Sequence, residues 1–319
     1  MKKLFVICLI GFMLCGCSND YKNRELVYSG KYPNFYNSVD DIFYTGIYDE
    51  VPNYESYILD LYQNGKVDKE FNLYDLASYD RKLVKVTSES IFNENNGMYL
   101  SNCIWEGLSM HDFLIDCGIS DKSYVKISNK QGYYVVMSME ELSGSEAILA
   151  LYLNGEELSD FLGFPVRFIA PGYFSEKQVG QVSRIEILDS EEKDFWELKG
   201  WNTGAKMKVN SKIFSPTEFD VTKVYDEIVF YGASYSPLGI DYSEISFDGG
   251  ITWYETEVIK SDGDLGWTFW QFSYRFQNTG KYTILARAVD KENNSQPEED
   301  NNEFDGINSY STLNMKIIE

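Results

Sequence analysis

The sequence predicts an α+β domain followed by an all-β, immunoglobulin-like sandwich, and three observations support this. Between about residues 41 and 205, strand-like runs alternate with short helical patterns, as in α+β domains. After residue 206, five strand patterns follow one another at nearly regular spacing, separated by Gly, Asn and Asp turns. The 319 residues are 44% hydrophobic and 16% aromatic, which is enough for two domains with real cores.

The first domain, residues 41–205, contains one well-marked helix and several strands. In LSMHDFLIDCG, Ser109 and Asp112 form a capping-box-like start and Gly118 ends the helix. The helical spacing i, i+3, i+4, i+7 is filled by Met110, Phe113, Leu114 and Cys117, which places His111 on the wet face. The predicted strands are YESYILDLYQNG, LVKVTSES, FPVRFIAPGYF and VSRIEIL, together with AILALYLNGEEL, in which an Asn-Gly turn joins two strands.

The second domain, residues 206–319, is predicted from strand patterns alone. In KYTILARAVD, every second residue is assigned to one face, which consists of Tyr282, Ile284, Ala286 and Ala288. The other strands are IVFYGASY, YSEISFDGGITWYET, WTFWQFSYRF and STLNMKIIE. Short strands joined by hairpin turns are typical of an immunoglobulin-like sandwich.

Charge and composition exclude several kinds of function. A formal net charge of −22 repels phosphate backbones, so nucleic acid is not expected as a partner. His111 is the one histidine, and without a CxxC pattern neither a His/Cys zinc site nor a Ser-His-Asp triad is predicted. Cys103 and Cys117 either pair or stay as free thiols, and we predict free thiols.

The N-terminus predicts export and a lipid anchor. Two lysines precede an apolar run, LFVICLIGFML, which is short for a membrane-spanning helix. The run ends in Leu14-Cys15-Gly16-Cys17, which resembles the bacterial lipoprotein cleavage box and implies acylation of Cys17. We therefore assign 1–17 to the signal and lipidated Cys, and 18–40 to a tether. The protein is expected outside the cytoplasm, anchored to the membrane; the alternative is a plain secretory signal with an incidental Cys.

Several segments together resemble the sulfite oxidase family. They are SEISFDGGITW, the Trp267-x-x-Trp270 pair, ARAVDKENNSQP, SNCIWEGLSMHDFLIDCG and LALYLNGEELSDFLGFPVRFIAPGYF. They occur in the family's order over about residues 41–319. The resemblance implies a molybdopterin-binding first domain and a C-terminal domain that mediates dimerisation, which suggests a homodimer.

The resemblance also identifies the positions of a cofactor site. Members of this family hold molybdenum on a molybdopterin through one Cys thiolate, in a Val-Thr-x-x-Cys-x-x-Asn pattern before Trp-x-Gly. Val86, Thr87, Asn93 and Trp105 fit this pattern, but Ser90 stands at the Cys position. A Ser hydroxyl is a poor metal donor unless it is deprotonated. Cys103, thirteen positions downstream, is a weak candidate for a replacement ligand.

Some of the residues that contact the cofactor phosphate in the family are also absent here. Lys177 is present, whereas Gly180 and Gln181 stand where a Lys and a Trp are expected. Arg167 is present and is either a cofactor contact or a structural ion-pair partner. Exported members leave the cytoplasm folded, through the twin-arginine route. The Lys2-Lys3 start resembles the general secretory signal instead.

These observations predict a fold without its metal. The expected function is binding or interaction, with no cofactor, and with Ser90, Asn93, Arg167 and Lys177 as vestigial cofactor positions. The ligand, a small molecule or a protein, is not identified. The alternative is an active molybdopterin-dependent oxidoreductase, catalysing oxygen-atom transfer, in which Ser90 ligates molybdenum. A hydrolase with Ser90 as the nucleophile would need a base, and His111 is predicted to lie far away.

Overall fold

The structure, a computed structural model, describes residues 28–29, 32–33, 36–37, 42, 52–204, 206–261 and 263–319. The predicted signal, the lipidated Cys17 and most of the tether lie outside the described residues. Within residues 1–35, Tyr28–Ser29 (β1) pairs antiparallel with Tyr32–Pro33 (β2). Residues 36–319 form a separate compact unit that holds every element discussed below.

Three short α-helices lie in the described part of the first half, and each begins at a side-chain cap. They are Leu73–Ala77 (α1), Met110–Asp116 (α2) and Met139–Gly144 (α3), capped by Asn72, Ser109 and Ser138. Helix α2 is the helix predicted from LSMHDFLIDCG, and Gly118 follows it with a φ of +86°. Cys117 is half-buried against the core, and the His111 side chain is 24% exposed beside Asp121. Among the described residues, no helix combines the length and apolarity that crossing a bilayer requires.

Two five-stranded sheets form the first half. The strands are Ile58–Gln63 (β3), Lys66–Asn72 (β4), Arg81–Glu89 (β5), Leu100–Ser109 (β6), Tyr124–Asn129 (β7), Tyr134–Ser138 (β8), Ile148–Leu153 (β9), Glu156–Glu157 (β10), Arg167–Ile169 (β11) and Val182–Leu188 (β12). One sheet has the order β10-β9-β6-β5 with β11 paired to β9, and the other has the order β4-β3-β12-β7-β8. Buried residues of both sheets, such as Leu149 and Ile127, belong to one apolar cluster.

The predicted Asn-Gly turn is confirmed between β9 and β10. Asn154 and Gly155 both have positive φ, +51° and +86°, as a two-residue hairpin turn requires. The run FPVRFIAPGYF forms only a three-residue strand, β11, because Pro165 lies just before it and a Pro-Gly turn at Pro171 and Gly172 follows it.

The second half is all-β, and two sheets carry its strands. The strands are Asn210–Ser215 (β13), Thr222–Lys223 (β14), Ile228–Tyr235 (β15), Ile240–Ser246 (β16), Tyr254–Glu255 (β17), Glu257–Ser261 (β18), Thr268–Tyr274 (β19), Gly280–Asp290 (β20) and Ser311–Ile318 (β21). The sheet orders are β13-β15-β19-β18 and β14-β21-β20-β16-β17. Phe230 and Trp270 of the first sheet share a core with Ile245 and Ile284 of the second, as in a sandwich.

Candidate functional site

Ser90 is the first residue after β5, at the tip of the hairpin that β5 forms with β6. The ladder pairs Val86 with Cys103 and Glu89 with Leu100, so the loop starts at Ser90. The Ser90 amide donates to the carbonyl oxygen of Tyr99 over 3.0 Å, which continues the ladder by one residue. Gly97 lets the loop close, because a Cβ there would lie 2.1 Å from Oδ1 of Asn93.

Asn93 holds this loop together from the inside. Its side chain is buried, its Nδ2 donates to Oε1 of Glu89 over 2.8 Å, and its Oδ1 accepts the Tyr99 amide over 3.2 Å. Both ends of the amide are therefore used within the hairpin. Asn93 is a positioning residue for Ser90 and its neighbours.

The same loop is attached to the sandwich by direct hydrogen bonds. Asn95 Nδ2 donates to the carbonyl oxygen of Tyr310 over 2.7 Å, and Asn96 exchanges two hydrogen bonds with the Thr312 backbone. From β13, the buried Lys212 donates to the carbonyl oxygen of Glu94 and lies 3.9 Å from the Glu89 carboxylate. The loop that carries Ser90 is thus fixed by residues of both halves.

The hydroxyl of Ser90 is engaged by a buried carboxylate. Ser90 Oγ donates to Oε1 of Glu176 over 2.7 Å, and the Ile91 amide donates to Oε2 of the same carboxylate over 2.8 Å. Oε2 also accepts from the Ser175 hydroxyl over 3.3 Å. Ser90 and Glu176 are 6% and 1% exposed. Three donors therefore converge on one carboxylate that solvent does not reach.

Burial changes the acid-base behaviour of this group. Desolvation raises the pKa of Glu176 above its usual value, and the donated hydrogen bonds from Ile91 and Ser90 only partly oppose it. Tyr133 donates to the Glu176 carbonyl oxygen. The pKa of Tyr133 is held well above its ordinary value, mainly by burial and then by the Glu176 charge. The surroundings of Ser90 therefore disfavour added negative charge.

Lys177 forms a buried ion pair with Asp194. Its Nζ lies 2.7 Å from Oδ2 of Asp194, and the two side chains are 3% and 1% exposed. The same carboxylate accepts from the Val136 amide and from the Thr203 hydroxyl. Burial raises the pKa of Asp194, and the charge of Lys177 opposes that rise. The cation predicted to meet a phosphate is thus already neutralised by a side chain of this chain.

Arg167 is buried among neutral partners. Its Nε and Nη2 donate to Oε1 of Gln178 over 3.3 Å and 3.0 Å, and Nη1 donates to the carbonyl oxygen of Leu162 over 3.2 Å. Gln178 in turn donates from Nε2 to Ser88 Oγ over 3.0 Å. Among the described residues no carboxylate lies within ion-pair distance of this guanidinium.

The structure therefore brings the predicted positions to one place. Ser90 donates to Glu176 and Arg167 donates to Gln178, and Lys177 lies between these two partners in the chain. Asn93 holds the facing loop in place. Glu176, Gln178 and Asp194 are not among the site residues predicted from the sequence. Glu176 is adjacent to Lys177 in the run SEKQVGQV, and this adjacency was the one available signal.

Aromatic side chains cover the Ser90 loop. Phe92 contacts Trp196 and Trp201 edge-to-face, with ring centroids 5.1 Å and 4.3 Å away, and Trp201 contacts Phe304 at 5.1 Å. Ile91 and Phe174 belong to the same apolar cluster. This cover excludes water from the carboxylate beneath it and accounts for the raised pKa of Glu176.

Cys103 and Cys117 are free thiols, as predicted. Cys103 is buried on β6, and desolvation raises its pKa to about 12, although the Ser101 hydroxyl and the Arg167 charge act in the opposite direction. A thiol that resists ionisation is unsuited to ligate a metal. Across the described residues, no three His, Cys, Asp or Glu side chains gather as metal ligands.

Two family models account for most of the chain. The oxidoreductase molybdopterin binding domain matches residues 48–196, and the Mo-co oxidoreductase dimerisation domain matches residues 202–319. The domain limits near residue 205 stay a prediction, because residues 36–319 form one compact unit.

Individual relatives agree with these matches. Mitochondrial sulfite oxidase of Drosophila melanogaster is 27% identical over 69% of this chain and 46% of its own length. The NADH nitrate reductase of Spinacia oleracea is 26% identical over 70% of this chain and 29% of its own. The chain thus spans less than half the length of these two enzymes. The crystal structure of the sulfane dehydrogenase SoxCD from Paracoccus pantotrophus superposes with a TM-score of 0.68, at 20% identity, over 78% of this chain and 70% of that one.

Proposed function

The chain belongs to the sulfite oxidase family, and from that premise we propose that it is a membrane-anchored, extracytoplasmic binding protein that keeps the family's fold without molybdenum. The hydrogen bond from Ser90 to Glu176 carries this proposal. A hydroxyl that donates its proton to a carboxylate is not an alkoxide, and an alkoxide 2.7 Å from that carboxylate would place two negative charges together. Ser90 is therefore not prepared to ligate a metal.

The charges around the site also do not fit the cofactor. Molybdopterin carries an anionic phosphate, which requires cationic partners. Lys177 is neutralised by Asp194, Glu176 adds a buried carboxylate beside it, and the cavity next to the Arg167 guanidinium, at about 10 Å³, is too small for a phosphate group. The Cys103 thiol has a raised pKa and therefore resists the ionisation that a metal ligand needs. We therefore derive no oxygen-atom transfer from these residues.

Metal analysis of the exported protein tests the proposal. The full chain is produced with its native signal in a host that makes molybdopterin, and a second preparation without residues 1–17 is made in the cytoplasm, where the cofactor is available during folding. Molybdenum is measured by mass spectrometry and the pterin by fluorescence after oxidation. We expect neither in either preparation. Molybdenum at about one ion per chain would overturn the proposal and support the oxidoreductase with Ser90 as ligand.

Two variants separate loss of the ligand from loss of the site. Ser90→Cys restores the family's donor, but Glu176 remains beside it, so we expect this variant to stay free of molybdenum in the cytoplasmic preparation. Ser90→Cys combined with Glu176→Ala removes the competing carboxylate as well. Metal taken up by the single variant would contradict the role assigned to Glu176. Thermal unfolding of each variant confirms that it is folded.

The anchor and the assembly state are parts of the same proposal. Acylation of Cys17 predicts that the protein fractionates with membranes and that Cys17→Ala releases it into the soluble fraction. A Cys17→Ala protein that stays on the membrane would exclude the lipid as its anchor. The match to a dimerisation domain supports a homodimer through residues 206–319, to be checked by sedimentation equilibrium of the soluble variant.

A further inference from the structure

The cavity beside Arg167 has an unusual lining. It measures about 10 Å³, which is room for one water-sized group. It is lined by the polar or charged residues Ser88, Ser101, Arg167, Ser175 and Gln178 and by Ile42, Trp105 and Leu162. A cavity of this size excludes a polyatomic oxyanion and admits a single atom or a water molecule.

A buried positive charge lines this cavity, and no described carboxylate lies within ion-pair distance of it. Arg167 is 3% exposed, and an arginine stays protonated at any ordinary pH. Its partners are the Gln178 amide oxygen and the Leu162 carbonyl oxygen, both neutral. The nearest engaged carboxylate, Glu176, accepts from Ser90, Ile91 and Ser175 instead. A buried charge that has no opposite charge close by is costly, and an anion in contact with it removes much of that cost.

Two residues that line the cavity, Arg167 and Trp105, have N–H groups without an acceptor among the described residues. The indole Nε1 of Trp105 is buried and has no hydrogen-bond partner among the described residues. Arg167 uses three of its five N–H groups in the hydrogen bonds given above. Ser88 accepts from Gln178, which leaves its own O–H to donate. Arg167 and Trp105 therefore have N–H donors left for an acceptor in this cavity.

We propose that the cavity between Arg167 and Trp105 binds one halide ion, chloride under ordinary conditions, as a structural ligand of the fold. The size of the cavity selects a monatomic ion, the guanidinium supplies the opposite charge, and the indole N–H supplies a directed hydrogen bond. The inference rests on the proposed function, because a bound molybdopterin would bring its own anion to this region.

Halide dependence of unfolding tests the site. Thermal unfolding of the mature chain is measured in sodium chloride, sodium bromide and sodium gluconate at equal ionic strength. Gluconate is too large to enter the cavity. We expect chloride and bromide to raise the midpoint in a saturable way, as a ligand of the native state does. Crystals grown in bromide should show one anomalous peak between Arg167 and Trp105.

The chain offers a matched pair of variants. Trp105→Phe removes the indole N–H and keeps an aromatic ring, so halide affinity should fall roughly ten-fold or more, the worth of a hydrogen bond to a charged group. Trp270 in the sandwich core also has a buried, unpartnered Nε1, but there Trp270 packs directly against Gly232, whose Cβ would lie 2.1 Å from the ring. Trp270→Phe should leave the halide dependence unchanged.

The outcomes separate this inference from the proposed function. Molybdenum is measured in the same samples. Equal midpoints in chloride and gluconate for molybdenum-free protein, or a water molecule with no anomalous signal in the cavity, would overturn the halide site alone. Molybdenum in the samples would overturn the proposed function and the halide site together.

Discussion

The cofactor-site region of the first half and the core of the sandwich bury different kinds of side chain. Around Ser90, the buried residues include Glu176, Arg167, Lys177 and Asp194, all at most 3% exposed. The sandwich core is aromatic and aliphatic, and its stacked pair Phe247 and Tyr274 has ring centroids 3.8 Å apart. Both regions are closed to solvent, but only the first holds its charges at high energetic cost.

Two buried tryptophan side chains illustrate this difference. Trp105 and Trp270 each bury an Nε1 that has no hydrogen-bond partner in the part of the chain that the structure describes. Trp105 lies beside a guanidinium and lines a cavity, with Arg167 Cζ 5.7 Å from its ring. Trp270 is enclosed by apolar neighbours. Burying charge is rarely the most stable way to fill a core, because well-packed apolar residues often do so at lower cost. The charges near Ser90 therefore support the binding function proposed above, and the sandwich core indicates packing alone.

The largest expected effect is on the buried ion pair. Asp194→Asn leaves Lys177 buried without its counter-charge, and we expect a loss of about 3–5 kcal/mol in the free energy of unfolding. Urea unfolding measures it. The control is Glu192→Gln, which breaks the pair with Lys126 at 3.0 Å, where the side chains are 49% and 25% exposed. That change should cost about 0–1 kcal/mol. Equal losses in the two variants would contradict the distinction between buried and surface charges.

A smaller, pH-dependent effect is expected at Glu176. Its pKa is raised in the folded protein, so the native state holds the proton more tightly than the unfolded chain does. Stability from this group is fully present below the usual carboxyl range and is lost as the pH rises through the folded pKa. Glu176→Gln does not titrate, so the stability of the wild type relative to this variant should fall over the range from about pH 4 upwards.

Urea unfolding of both proteins across that range checks this sign, with Glu299→Gln as an exposed control. A relative stability that stays flat or rises with pH would show that Glu176 remains ionised without penalty. Such a result would also remove the argument that negative charge is disfavoured at Ser90.

Much of the fold could be predicted because local patterns agree with it. Strand β20 alternates as expected, with Ile284, Ala286 and Ala288 fully buried, and helix α2 begins at its predicted cap. Strands β4, β6, β7, β8, β13, β14 and β18 are outside the predicted set. Among them, β13 buries Asn210, Ser211 and Lys212 beside Phe214, and β18 is a mostly exposed edge strand, so neither has an alternating apolar pattern.

The site was predictable in position but not in its contacts. Family resemblance located Ser90, Arg167 and Lys177, and the structure places them together. The partner of Ser90 is 86 positions away, and the carboxylate that neutralises Lys177 follows 17 positions later, in a separate segment. Such pairs arise from tertiary packing, which hydrophobic periodicity does not encode. The resemblance thus identified the positions, and the structure shows that Glu176 and Asp194 are the carboxylates bonded to Ser90 and Lys177 there.

The smallest expected effect tests whether the difference in what is buried is confined to the residues around Ser90 and Arg167 or extends to the packing of each half as a whole. Ile185 on β12 and Ile284 on β20 are both 0% exposed, each in the main apolar cluster of its half. Ile→Val at either position removes one methylene, which costs about 0.5–1.5 kcal/mol in a well-packed core. We expect equal losses, independent of pH and of chloride, measured by urea unfolding. A loss near zero at Ile185 alone would mean that the first half is loosely packed throughout. The buried charges would then reflect a poorly ordered core, whereas equal losses confine the difference to the residues around Ser90 and Arg167.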